Sequence, residues 1–179
     1  MKSKVLQINI KSIPETGLDV PLDLGPEWFA RWREADPDLE FADARITGAV
    51  NLSKHGQDIL VRGHLTGHLE LACGRCLESY SAPADADFDL LLVPRITAAF
   101  AEDEELSQPD LDLDYYTGEI IDVESLIKEQ IILMIPLKPL CQDDCQGLCP
   151  RCGANLNRET CQCRNNVNSP FAHLAKVKI

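Results

Sequence analysis

Residues 141–163 read CQDDCQGLCPRCGANLNRETCQC, which places six of the chain's eight cysteines in one short stretch. The segment is too poor in large apolar side chains to fold by burial alone, so something else must staple it. Its cysteines come in close pairs: Cys141-x3-Cys145, Cys149-x2-Cys152 and Cys161-x-Cys163. A fourth pair, Cys73-x2-Cys76, lies far upstream. Thiolates this close in sequence can bend onto one ion, and tetrahedral Zn²⁺ takes four ligands. Four pairs therefore predict two structural zinc ions.

The pairing follows from local geometry. Leu148-Cys149-Pro150-Arg151-Cys152-Gly153 has the form of a zinc-ribbon knuckle, with Pro150 stiffening the turn and Gly153 free to take positive φ. Eight residues later Cys161 and Cys163 can return to close a small ribbon. That leaves Cys73, Cys76, Cys141 and Cys145 as a second set, a clamp across about 65 residues of chain. Grouping Cys141, Cys145, Cys149 and Cys152 instead also satisfies the spacing. Four thiolates can hold an iron–sulfur cluster too. Redox use of Cys73 and Cys76 lacks the strand-to-helix context of such motifs. Arg75, Arg151, Arg158 and Arg164 sit in or beside the pairs. They can offset thiolate charge or contact phosphate on RNA.

Upstream, the pattern is that of antiparallel β structure. Ile59, Val61, Leu65, Leu69 and Leu71 share one parity, while Arg62, His64, Thr66, His68 and Glu70 take the other. This is a strand with one wet face. Gly63 and Gly67 fall on its apolar side, where a bulge or close packing is expected. Ala44, Ile46, Val50 and Leu52 predict a preceding strand, with a turn signal at His55-Gly56. Phe88, Leu90 and Leu92 predict a following one that ends at Pro94. Cys73-Gly74-Arg75-Cys76 then occupies a hairpin tip. Leu6, Ile8 and Ile10 alternate as a short first strand.

Two helices are expected. One starts at Gly25-Pro26 and stops at Asp36-Pro37, with Pro at an early helical position. Its Trp28 and Trp32 can form a buried face or stack on bases. The buried face is the favoured reading. The other helix begins near Asp122, a good cap, and places Val123, Ile127, Ile131 and Met134 near one face before Pro136 ends it.

The net charge is −12, which argues against general affinity for nucleic acid. The charge is uneven. Residues 96–127 contain no Lys or Arg, and residues 98–112 are expected to form an acidic loop. The tail from Lys138 onward is mildly basic. No apolar run reaches the roughly 18 residues of a membrane span, and the N-terminus lacks a signal peptide's apolar core. A cytoplasmic location is expected, where thiols stay reduced and metal binding is favoured over disulfides. His64 and His68 are expected to be solvated. No Ser–His–Asp set, P-loop or nucleotide fingerprint is present, and no catalytic residue is nominated.

Several segments together resemble one family. These are Leu69 to Leu77 with its Cys-Gly-Arg-Cys centre, Glu119 to Pro136, Pro139 to Cys145, Gly147 to Asn157, and Asn168-Ser169-Pro170-Phe171-Ala172-His173-Leu174. They are similar to the YceD family, the bacterial large ribosomal RNA subunit accumulation proteins. Ser169 departs from the family's usual Asn-Pro-Phe. The resemblance implies a non-enzymatic role in accumulation, synthesis or processing of large-subunit (23S) ribosomal RNA. The implied partners are ribosomal RNA, a ribosomal protein or a precursor large subunit. A second expectation is a zinc-stabilised adaptor whose acidic loop binds a basic partner.

The expected fold is α+β: an antiparallel β-sheet, two main helices and a C-terminal zinc-ribbon-like segment. Residues 1–140 would form the core and residues 141–179 a cysteine-rich tail packed on it.

Overall fold

The computed structural model describes residues 6–36, 41–95 and 113–163. The expected acidic loop at 98–112 lies outside them, as do Arg164 and residues 168–174.

The elements run β1 (Gln7–Asn9), β2 (Leu18–Leu24), α1 (Pro26–Ala35), β3 (Phe41–His55), β4 (Asp58–Ala72), β5 (Ser79–Pro94), β6 (Leu113–Tyr116), β7 (Ile120–Asp122) and α2 (Val123–Met134). Three strands dominate. At 15 residues each, β3 and β4 extend about 50 Å. A two-residue turn joins them, with Gly56 at φ +68°, a value that L side chains rarely adopt. The main sheet has the order β2-β3-β4-β5-β6. Its pairs are antiparallel except for β5–β6, which is parallel. A separate two-stranded sheet pairs β1 with β7.

Alternation decides which face is covered. Ile46, Val50 and Leu52 on β3 and Ile59, Val61 and Leu65 on β4 are fully buried. Both helices cover this side. α1 contributes Trp28, Phe29 and Trp32, packed edge-on and stacked at 4.9–6.3 Å between ring centroids. Trp28 and Trp32 are therefore core residues, not a platform for bases. The Lys128 ammonium of α2 lies 5.7 and 5.6 Å from their rings, joining the two helices through cation–π contact. Asp122 caps α2 by accepting from the Ser125 backbone N–H at 3.2 Å.

The glycines of β4 show close packing rather than a bulge. The β3–β4 register runs unbroken through both, and its irregularity falls between Phe41 and Ala44. Phe88 lies over Gly63, and a Cβ there would meet the ring at 2.2 Å. At Gly67 a Cβ would meet the Arg45 carbonyl at 2.0 Å. The opposite face is wet, as expected. Arg62, His64, Thr66 and His68 are exposed, and His64 Nδ1 lies 2.8 Å from Asp87.

Candidate metal centre

The β4–β5 hairpin closes at Ala72 and Ser79, and residues 73–78 form its tip. The Cys73 N–H donates to the Glu78 carbonyl at 2.9 Å, and the Leu77 N–H returns to the Cys73 carbonyl at 2.9 Å. This knuckle turns both sulfurs to one side. The chain leaving α2 is docked against it by the Gly74 N–H, which donates to the Pro139 carbonyl at 2.7 Å. Pro136 ends the helix, and Cys141 follows within a few residues.

The result is a quartet of Cys73, Cys76, Cys141 and Cys145, whose sulfurs all lie within 4.8 Å of one another. The Cys73–Cys145 and Cys76–Cys141 sulfurs are 3.8 and 3.7 Å apart. Four thiolates arranged tetrahedrally about 2.3 Å from a common centre stand about 3.8 Å apart. A disulfide would need about 2.05 Å, and all eight cysteines are free.

The second quartet is Cys149, Cys152, Cys161 and Cys163, again within 4.8 Å. Its knuckle repeats the first: the Gly153 N–H returns to the Cys149 carbonyl at 2.9 Å. Gly153 has φ +73°, and Leu77 takes the matching position of the first knuckle at φ +61°. A leucine there is strained where glycine is not. Leu148 bridges to Asn155, closing a small ribbon. The structure thus brings the cysteines together as the knuckle argument divides them. The alternative grouping of Cys141, Cys145, Cys149 and Cys152 does not form.

Backbone dipoles favour thiolate at the first cysteine of each knuckle. The Cys76 N–H leads in holding Cys73 down at about 6, against the opposing effect of burial. The Cys152 and Arg151 N–H groups do the same for Cys149, also at about 6. Burial first, then the neighbouring thiols, push Cys141 up to about 12. Contact with Cys152, followed by burial, pushes Cys163 up to about 12. At Cys76 the Glu78 N–H pulls downward, but burial and adjoining thiols leave the pKa raised. Each quartet could hold one metal ion.

Two of the arginines bond within the protein. Arg75 donates to the Cys145 and Asp143 carbonyls at 2.9 and 3.3 Å, fastening the third and fourth ligands to the knuckle that bears the first two. Arg158 pairs with Glu78 at 2.9 Å. Sequence reasoning missed Asn157, whose side-chain amide donates to the Cys145 sulfur at 3.3 Å. Its position between two cysteine pairs was the available signal. Among the described residues no helix is long and apolar enough to cross a membrane.

A β-sheet core that carries two cysteine quartets, one on its hairpin and one on an appended ribbon, defines a protein with closed metal-type sites. The chain belongs to the YceD family: the family model described as "Large ribosomal RNA subunit accumulation protein YceD" matches residues 61–178. It is 28% identical to the chloroplastic large ribosomal RNA subunit accumulation protein YCED homolog 1 of Zea mays, over 75% of this chain and 57% of that protein. The Arabidopsis thaliana homolog 1 is 26% identical, over 73% of this chain and 47% of that protein. An uncharacterized protein of Mycobacterium tuberculosis is 26% identical, over 68% of this chain and 56% of that protein. The chain therefore spans about half the length of the curated relatives it matches. No solved structure matches it significantly.

Proposed function

We propose that this chain is a non-enzymatic factor that supports accumulation of large-subunit (23S) ribosomal RNA during ribosome biogenesis in the cytoplasm. It would act as a zinc-stapled platform that holds ribosomal RNA or a ribosomal protein on precursor large subunits. Membership of the YceD family carries this reading, and the names of the two plant relatives support it. Zn²⁺ is the metal that best suits the donor set. Eight cysteine sulfurs in two sets of four, each set within 4.8 Å, favour a soft-tolerant ion without geometric demands of its own. Cys73, Cys76, Cys141 and Cys145 would hold one ion, and Cys149, Cys152, Cys161 and Cys163 the other. A Cys₄ site has no open position for water or substrate, which fits a structural rather than a catalytic metal.

Depleting the protein in its native host should lower 23S relative to 16S ribosomal RNA, and tagged protein should co-sediment with precursor large subunits. An unchanged ratio together with no ribosomal association overturns the proposal.

A second reading, an adaptor for a basic partner, has one structural observation in its favour. Asp85, Asp87 and Asp89 line up on β5, and Asp19 and Asp23 stand at the other edge of the same wet face. If this reading holds, neutralising residues 102–105 and β5 Asp87 should abolish binding of a basic ribosomal protein and leave binding of naked RNA unchanged.

A further inference from the structure

We infer that Asn157 couples the two cysteine quartets, so that metal in the second strengthens the hold of the first. This rests on the metal reading above.

Asn157 belongs to the second quartet by sequence and serves the first by contact. It lies in the loop between Cys152 and Cys161, two ligands of the second quartet. Yet its side-chain N–H donates to the sulfur of Cys145, a buried ligand of the first, at 3.3 Å. An N–H aimed at a metal-bound thiolate spreads its negative charge and disfavours its protonation and release.

The amide is held for this task. Its Oδ1 accepts the Gln146 backbone N–H at 2.7 Å, which fixes which end of the amide is oxygen. The Nδ2 group also donates to Asn155 Oδ1 at 2.9 Å, and the same oxygen accepts the Asn157 backbone N–H at 3.0 Å. Asn155 Nδ2 is buried with no partner, so that residue is kept for its acceptor at the cost of an orphaned donor. Aspartate would remove the orphan but place a carboxylate beside thiolates that already carry excess negative charge.

Further contacts lay the same loop, and the Gly147-Leu148 segment to which it bonds, on the first knuckle. The Leu156 N–H donates to the Gly147 carbonyl at 2.9 Å, and Arg158 reaches Glu78 at 2.9 Å. The Leu148 N–H donates to the Arg75 carbonyl at 3.1 Å. Gly147, at φ +72°, passes so near that a Cβ would stand 3.1 Å from the Arg75 oxygen. Closing the loop on an ion at Cys152 and Cys161 therefore fixes where Asn157 points. Emptying that quartet frees the loop and removes the donor from Cys145. Linkage makes the effect mutual: an ion in the first quartet must strengthen the second by the same factor.

The test is zinc release from the full chain to the chromogenic chelator 4-(2-pyridylazo)resorcinol. Cys76→Ser, which retains only the second quartet, assigns the kinetic phases. Asn157→Ala should speed release from the first quartet about tenfold, at the low end of what outer-shell partners contribute. Arg62→Ala, which breaks an exposed ion pair with Asp89 on the wet face of the sheet, should leave that rate unchanged. Cys163→Ser should speed first-quartet release in the wild-type background and add little to Asn157→Ala, because both remove the same contact. Asn157→Ser serves if the alanine variant does not fold. The coupling is overturned if the Asn157 variants release at the wild-type rate, or if Cys163→Ser acts equally with and without Asn157. Fewer than two zinc equivalents on the purified wild-type chain would instead overturn the metal reading itself.

Discussion

Replacing one ligand in each quartet should separate a clamp from a local staple. The first quartet joins Cys76 to Cys141, 65 residues apart, while the second joins Cys152 to Cys161 across only 9. A cross-link stabilises chiefly by restricting the unfolded chain, and the restriction grows with the logarithm of loop length. The chain-entropy relation gives about 4 kcal/mol for the longer loop and about 2.5 kcal/mol for the shorter. The location of the loss matters more than its size. The first quartet ties the β4–β5 hairpin to the chain leaving α2, so its loss loosens elements that share the core. The second folds residues that follow both. Cys76→Ser should therefore lower the unfolding midpoint of the core by on the order of 10 °C, taking about 2–4 °C per kcal/mol for a chain of this size. Cys163→Ser should leave the core midpoint within about 5 °C of wild type at saturating zinc, on the same conversion. Near-ultraviolet circular dichroism of the buried Trp28 and Trp32 reads the core directly, and elemental mass spectrometry counts the metal. Each variant should retain one zinc. Equal loss of core stability in the two variants, or loss of both ions from Cys76→Ser, would refute the division of labour.

Three further outcomes follow from single positions. Gly67→Ala should cost about 3 kcal/mol in urea denaturation, because its Cβ would meet the Arg45 carbonyl at 2.0 Å; Gly63→Ala should cost less, because a Phe88 ring can turn aside where a paired strand cannot. Equal costs would contradict that contrast. Leu77→Gly should not destabilise the protein and should raise its urea midpoint slightly. Relief of about 1–2 kcal/mol of left-handed strain outweighs the roughly 0.5–1 kcal/mol entropic cost of glycine. A lowered midpoint would mean that Leu77 makes a stabilising contact. Zinc affinity should fall with falling pH and fall more steeply below about 6. Above that value Cys73 and Cys149 are already thiolate in the metal-free chain, and below it they too must lose a proton to bind. Calorimetric titration at pH 5.5 and 7.5, in buffers of differing ionisation enthalpy, should therefore count more protons released per ion at the lower pH. An equal or smaller count would contradict the assigned thiolates.

What the sequence disclosed, and what it hid, divides along the range of the interactions involved. The quartets were legible because a metal-binding knuckle is decided within four or five residues. Cys149 to Ala154 contains the backbone groups that close that turn. The long hairpin was legible because burial of one sheet face writes a two-residue period into 15 consecutive positions. The missed strands carried conflicting or very short local signals. In β2, Leu18, Val20, Leu22 and Leu24 do alternate, but Pro21 argues against a strand, and is tolerated because β2 is an edge with no partner on its outer side. β6 and β7 have only four and three residues; β6 pairs with β5 in parallel rather than as a hairpin, and β7 pairs with β1, more than 100 residues away. Asn157 was hidden for a related reason. Nothing near it in sequence contains Cys145, and only the folded ribbon brings the amide to that sulfur. The same contrast separates the ribbon from the core. A hairpin about 50 Å long buries its own alternation against two helices. In the ribbon, by contrast, every residue from 150 to 163 is half-buried or exposed, so apolar packing contributes little there and the converging sulfurs are the candidate staple.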